Sequence, residues 1–105
     1  MDSREKGKRG ELELSHFLTA HGFNARRGQQ YCGSNGDADV VGVPGYHLEV
    51  KRVEKLNIEK AMQQSIDDAR ENEIPDVVHR KNLKTWLVTM RLEEWIGMIN
   101  GAHKD

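Results

Sequence analysis

Charged side chains interrupt two short apolar segments in residues 36–52, GDADVVGVPGYHLEVKR. They are Asp37, Asp39, Glu49 and Lys51. The apolar segments lie on either side of Pro44-Gly45, a turn dipeptide, and this pattern predicts an antiparallel hairpin. Because strand side chains alternate between faces, Glu49 and Lys51 share a face, and the hairpin brings Asp39 beside them. The hairpin is therefore predicted to gather carboxylates and an ammonium in one patch.

Such a patch favours a divalent cation. Two carboxylates at ~4 Å repel by about 1 kcal/mol in water and by several times more near a protein surface. Mg²⁺ prefers oxygen ligands and is typically held by one or two carboxylates with water and phosphate, and Mn²⁺ is the alternative ion. The Lys51 ammonium would hold a phosphate oxygen or orient the attacking water. This set predicts metal-assisted phosphodiester hydrolysis. His47 shares the face, and its predicted role is a structural hydrogen bond.

A helix is predicted before the hairpin, at residues 8–21. Its apolar residues recur at helical spacing, and Gly22 follows as a stop signal. Glu11 lies on the same stripe as Leu14 and Leu18, so its side chain is expected to continue the core-facing surface. Glu13 lies off this stripe and is expected to face solvent.

The other segments complete a mixed sheet flanked by helices. They are a weak strand within 23–31, hairpin strands at 38–43 and 46–53, a helix capped by Asn57, strands at 75–80 and 85–90, and a helix at 91–99. In the last helix, the residues expected to face inward are Leu92, Trp95, Ile96 and Ile99. The predicted order is α-β-β-β-α-β-β-α, an α/β fold.

Length and composition limit the class of protein. A chain of 105 residues suggests one domain. The single cysteine, Cys32, has no internal disulfide partner, which favours a reducing, intracellular (cytoplasmic) setting. No apolar run approaches the ~18 residues of a membrane span, so no membrane partner is expected.

The formal net charge of −1 argues against a general binder of polyanions, but the basic residues are clustered. Arg4 to Arg9 and Arg80 to Lys84 are both rich in Lys and Arg, and Arg26 and Arg27 are adjacent. The residues predicted to contact DNA are Lys8, Arg9, Arg80 and Lys81.

Several of these motifs match a known family. GDAD…HLEVK resembles the PD-(D/E)XK nuclease superfamily, whose signature is an acid on one strand and (D/E)-X-K on the next, here Asp39 and then Glu49-Val50-Lys51. KGKRGELELSHFLTAHGF is similar to the first helix of archaeal-type Holliday junction resolvases. The segment VVHRKN…TWLVTMRLEEW resembles small phage-encoded relatives.

The resemblance implies a restriction-endonuclease-like domain over residues 1–105 that acts as a Mg²⁺-dependent DNA endonuclease in DNA recombination, with branched DNA as the leading substrate. It implies that Glu11 joins Asp39 and Glu49 as a metal ligand. It also implies that a glutamine of MQQSIDDA faces the site, and Gln64 fits better than Gln63, although helical spacing does not choose between them. GDAD stands where PD is common. Asp37 is therefore the alternative ligand, but an acid leading directly into the apolar strand favours Asp39.

Two alternative functions remain at this stage. One is a nuclease of the same fold that acts on ordinary duplex or single-stranded ends. The other is a non-enzymatic DNA-binding factor, which clustered carboxylates disfavour because they repel phosphate.

A homodimer is also predicted, since one metal site cuts one strand and a junction requires two symmetric cuts. The apolar surface for it would come from the edge near Trp86 or from the last helix, through Trp95, Ile96, Met98 and Ile99.

Overall fold

The helices and strands follow the predicted order. The computed structural model describes residues 3–29 and 38–102. Its elements are α1 (Ser3–Ala20), β1 (Arg26–Arg27), β2 (Val40–Val41), β3 (Tyr46–Arg52), α2 (Ile58–Asp68), β4 (Ile74–Arg80), β5 (Leu87–Met90) and α3 (Leu92–Ala102). The α-β-β-β-α-β-β-α prediction is confirmed. Among the described helices, none has the length and apolarity needed to cross a bilayer.

The strands form one five-stranded sheet in the order β1-β2-β3-β4-β5. The β3 and β4 strands are parallel, and the other neighbouring pairs are antiparallel, so the sheet is mixed as predicted. Val40 pairs with Leu48, which confirms the hairpin between β2 and β3. The central strand β3 therefore carries the E-X-K residues in the middle of the sheet.

The helix α1 packs on one face of β3 through the predicted stripe. Leu14 is buried against Val50 and Leu48, and Leu18 packs on the same cluster. A Cβ atom on Gly10 would lie 2.7 Å from Cβ of Arg52, so only glycine allows this close approach of helix and strand. The close packing fixes the position of Glu11, the next residue along the helix.

The helix α2 lies against β3 and β4. Its predicted N-cap is confirmed, since the Asn57 side chain accepts a hydrogen bond from the Lys60 amide at 3.1 Å. Ser65 is fully buried, and its hydroxyl donates to the carbonyl of Asp76 at 2.9 Å. This contact fixes the rotation of α2 against the sheet.

The last helix departs from the prediction that its apolar residues face inward. Leu92 is 67% exposed and Trp95 is 51% exposed, and Ile96 and Ile99 are also exposed. The α3 helix makes only marginal contact with the other described elements. The periodicity correctly predicted an apolar stripe, but the described part of the chain does not cover it. Trp86, by contrast, packs partly buried against the core.

A buried carboxyl group lines an apolar groove of about 570 Å³ beside α3. Asp76 is 1% exposed, and neither of its carboxylate oxygens has a hydrogen-bond partner among the described residues. Burial, together with the charge of Glu94 on α3, raises the pKa of Asp76 to about 7, and His47 opposes this shift. The sequence pattern that predicted the strand at 75–80 gave no indication that Asp76 would be buried.

We expect Asp76→Asn to become progressively more stable than the wild-type protein as the pH rises from 5 to 7. The folded-state pKa of Asp76 lies above its unfolded value, so its protonated form favours folding. That contribution is present in acid and is lost as the pH rises, at about 1.4 kcal/mol per pH unit up to about pH 7. Urea unfolding of both proteins at pH 5, 6, 7 and 8 measures the difference, which should level off above pH 7. A difference that does not change with pH would contradict the raised pKa.

Candidate active site

The hairpin holds Asp39 at a fixed point beside β3. Its carbonyl accepts a hydrogen bond from the Gly28 amide at 2.9 Å. Its Oδ2 accepts a second one from the Val50 amide at 2.8 Å. Because β2 begins only at Val40, the Asp39 side chain takes the place of a ladder carbonyl for Val50. The carboxylate is thereby placed next to the E-X-K segment.

The Glu49 carboxylate lies close enough to Asp39 to disfavour the charged form of Asp39. Burial, together with the nearby carboxylates of Glu49 and Glu11, raises the pKa of Asp39 to about 7. The Val50 hydrogen bond and the Lys51 charge oppose this shift. Glu49 is itself only 4% exposed. A half-buried group of carboxylates that repel one another suits a hard divalent cation, so these residues fit the predicted metal.

Glu11 reaches the site from α1. Its Oε1 lies 2.9 Å from Nε of Arg27, and its side chain is largely buried. The β1 residue Arg27 was not predicted as part of the site. The signal for it was present in the adjacent Arg26-Arg27 pair, because alternation in a strand directs only one of two neighbours to a given face.

Lys51 connects the strand to the following helix. Its Nζ lies 3.9 Å from Glu49 Oε2 and donates a hydrogen bond to Gln64 Oε1 at 3.3 Å. Gln63 instead donates to Asp67 at 2.8 Å along the helix surface. The structure thus brings Gln64, and not Gln63, to Lys51.

His47 lies on the other side of Glu49. Its Nε2 is 3.7 Å from Glu49 Oε1, and its Nδ1 is 3.6 Å from an oxygen of Glu73. Burial lowers the pKa of His47, but the carboxylates of Glu49 and Glu73 outweigh burial and raise it overall. The hydrogen bond expected for this ring is not made by Nε2, which is buried and, at 3.7 Å from Glu49, has no hydrogen-bond partner among the described residues.

The predicted DNA-binding residues differ in availability. Lys8, Arg9 and Lys81 are exposed. Arg80 donates to the Glu13 carboxylate, which also accepts from Arg52 at 3.3 Å. The expectation that Glu13 faces solvent is therefore wrong, because this half-buried carboxylate joins α1 to the ends of β3 and β4. Asp37 and Cys32 lie outside the described residues.

Comparison with solved structures places this arrangement in a known fold. The structure is similar to that of Hjc, a Holliday junction resolvase from the archaeal hyperthermophile Archaeoglobus fulgidus, with a TM-score of 0.60 and 24% sequence identity. The similarity covers 81% of this chain and 72% of the other. No protein-family model and no curated protein matches the sequence. The mixed sheet with its helices is thus the Hjc fold.

Proposed function

We propose that this chain is a single-domain, divalent-metal-dependent DNA endonuclease of the PD-(D/E)XK type, with branched DNA as its leading substrate. The observation that carries the proposal is the convergence of Asp39, Glu49 and Lys51 on one patch. The fold shared with a Holliday junction resolvase supports the choice of substrate. A factor that only binds DNA gains nothing from clustered carboxylates that repel phosphate.

Each residue has a role in the proposed reaction. Asp39, Glu49 and Glu11 would hold Mg²⁺, and the ion would supply Lewis acidity toward the phosphate and the attacking water. The Lys51 ammonium stabilises negative charge as it develops on the phosphate.

Positioning residues complete the proposed site. Gln64 orients Lys51 through the hydrogen bond between their side chains. Arg27 fixes the carboxylate of Glu11.

The direct test is incubation with a four-way junction, a linear duplex and single-stranded DNA, each with Mg²⁺ and with EDTA. Paired symmetric nicks in the junction that require Mg²⁺ would support the proposal. Equal cutting of all three DNAs would favour a generic nuclease of the same fold. Binding without cutting would favour the non-enzymatic factor.

The exposed apolar residues of α3 favour a second copy of the chain as their partner. A single chain exposes Trp95, Ile96 and Met98 on this helix, with Leu87 and Val88 exposed on the edge strand β5. Large apolar side chains left exposed in this number are typical of an interface. A two-fold dimer would place two sites on a two-fold junction.

We expect the protein to be dimeric at micromolar concentration and Trp95→Glu to be monomeric, because the charge would be buried in the interface. Light scattering measures the mass of both. Leu83→Glu is the matched control, since Leu83 is 96% exposed in the β4–β5 turn and should leave the dimer intact. A wild-type monomer, with and without DNA, would count against the dimer and against junction resolution.

The basic residues are proposed to set DNA affinity from one end of the sheet. Lys51 and Arg52 end the parallel strand β3 beside the end of β4, where the turn with Lys81 and Lys84 begins. Arg9 on α1 lines a groove of about 340 Å³ at this same end. A DNA backbone that reaches Lys51 would therefore pass these charges.

We expect Lys8→Gln combined with Arg9→Gln to flatten the plot of log affinity against log salt by about two units, since each phosphate contact contributes about −0.9. Affinity should fall similarly for all DNA shapes. Salt titration of junction binding in Ca²⁺ measures the slope. The Lys81→Gln, Lys84→Gln protein loses the same charge from the β4–β5 turn. If the slope changed only in the Lys81→Gln, Lys84→Gln protein, the DNA would contact the β4–β5 turn and not α1.

A further inference from the structure

A second group of ligating atoms lies on the far side of Glu49 from Asp39. His47, Glu49 and Asp68 each offer one ligating atom, and these atoms lie within 4.8 Å of one another. His47 and Glu49 share a face of β3, and Asp68 ends α2, which packs against that strand. The first two side chains are buried and the third is exposed. The group is therefore prearranged by the strand and accessible from solvent through Asp68.

The buried imidazole of His47 is evidence that this group of residues binds a ligand. Its side chain is 3% exposed, and its Nε2 has no hydrogen-bond partner among the described residues. A buried polar atom without a hydrogen-bond partner destabilises the folded state. The nearest carboxylate oxygen, Oε1 of Glu49, is 3.7 Å away. Neighbouring ligands of one cation stand about 3.0–3.4 Å apart when bonds are ~2.1 Å, so a small closure would let both atoms bind one ion.

The other ring nitrogen of His47 faces Glu73. Its Nδ1 lies 3.6 Å from Glu73 Oε1. That oxygen also accepts a hydrogen bond from the Arg70 amide at 2.8 Å, so the turn after α2 holds the carboxylate in place. Metal-binding histidines usually direct their second nitrogen to a carboxylate, which sets the tautomer and the ring orientation. Glu73 is placed to do this for His47.

We infer that His47, Glu49 and Asp68 form a second cation site, which shares Glu49 with the proposed Mg²⁺ site and takes a divalent transition ion of the Mn²⁺ to Zn²⁺ series. An imidazole nitrogen with two carboxylates suits such ions, whereas Mg²⁺ favours oxygen ligands and keeps its water. The site is defined by ligand geometry and does not require that the chain cut DNA. Glu73 is its positioning residue.

The experiment uses the full chain, freed of metal with EDTA, in an Asp39→Asn, Cys32→Ser background. The first change weakens the proposed Mg²⁺ site, and the second removes a thiol that could bind the probe. Co²⁺ is titrated in excess Mg²⁺ and followed by its visible absorption and by calorimetry. We expect one Co²⁺ per chain that Mg²⁺ does not displace.

Asp68→Asn should weaken Co²⁺ binding by about 100-fold or more, because even outer-shell partners are worth about 10- to 100-fold. Glu73→Gln, which keeps the oxygen that accepts from Arg70, should weaken it by about tenfold. Asp67→Asn is the matched control, an exposed neighbour on α2 whose carboxylate accepts from Gln63. Asp68 is exposed, so its replacement leaves the core intact.

Two outcomes would overturn the inference. One is that no Co²⁺ binds, or that Mg²⁺ displaces it fully, which would leave His47 as a structural neighbour of Glu49 and Glu73. The other is equal weakening by Asp67→Asn and Asp68→Asn. Neither outcome depends on DNA cleavage, so failure of this site and failure of the nuclease are separately visible.

Discussion

Asp39→Asn is expected to lower the rate of DNA cleavage by about a thousandfold while DNA binding in Ca²⁺ persists or tightens. The change removes a metal ligand and a charge that repels phosphate. Charge stabilisation by a bound cation is worth several kcal/mol, and each 1.4 kcal/mol is a factor of about ten in rate. Asn can still accept the hydrogen bond from Val50, so the hairpin should stay folded. Glu49→Gln should give the same result.

The measurement is single-turnover cleavage of a junction, with binding followed in parallel by gel shift. Asp67→Asn is the control, because it makes the same chemical change on the exposed surface of α2. Cleavage by Asp39→Asn at the wild-type rate would show that Asp39 is not a metal ligand. Asp37→Asn, tested alongside, would then decide between the two acids of GDAD.

Local patterns predicted the elements that place this site. Glu49 and Lys51 share a face because strand side chains alternate, whatever the rest of the fold does. The Asn57 cap satisfies amides in its own first turn, so it too is visible in the sequence. The stripe of α1, with Leu14 buried, follows from helical spacing alone. These features depend on neighbours within a few residues.

Features set by distant contacts could not be predicted in this way. Gln63 and Gln64 both lie at the edge of the apolar face of α2, and the contact with Lys51 on β3 is what selects Gln64. No local pattern marks Glu73 as a site residue, but the turn after α2 brings it to His47. Helical spacing predicts that α3 has an apolar face, but it does not predict which surface covers that face. For this reason Trp95 was wrongly expected to face the core.

Lys51→Ala is expected to lower cleavage by about 100- to 1000-fold and to leave divalent-cation affinity unchanged or slightly higher. The first effect follows because a preorganised charge beside the reacting phosphate is worth this much when removed. The second follows because the Lys51 ammonium, 3.9 Å from Glu49, repels a cation bound by that carboxylate. Calorimetry with Mg²⁺ in the absence of DNA measures the affinity, and single-turnover cleavage measures the rate.

Gln64→Ala separates the position of Lys51 from its charge. Gln64 accepts the hydrogen bond that holds the ammonium, so its loss should slow cleavage less than the loss of Lys51 itself and should leave cation affinity unchanged. Gln63→Ala is the matched control, since Gln63 bonds to Asp67 on the helix surface. If Lys51→Ala instead abolished Mg²⁺ binding, Lys51 would be organising Glu49 for the metal. Its ammonium would then have no separate part in stabilising the phosphate, and the slow cleavage would be explained by loss of the cation.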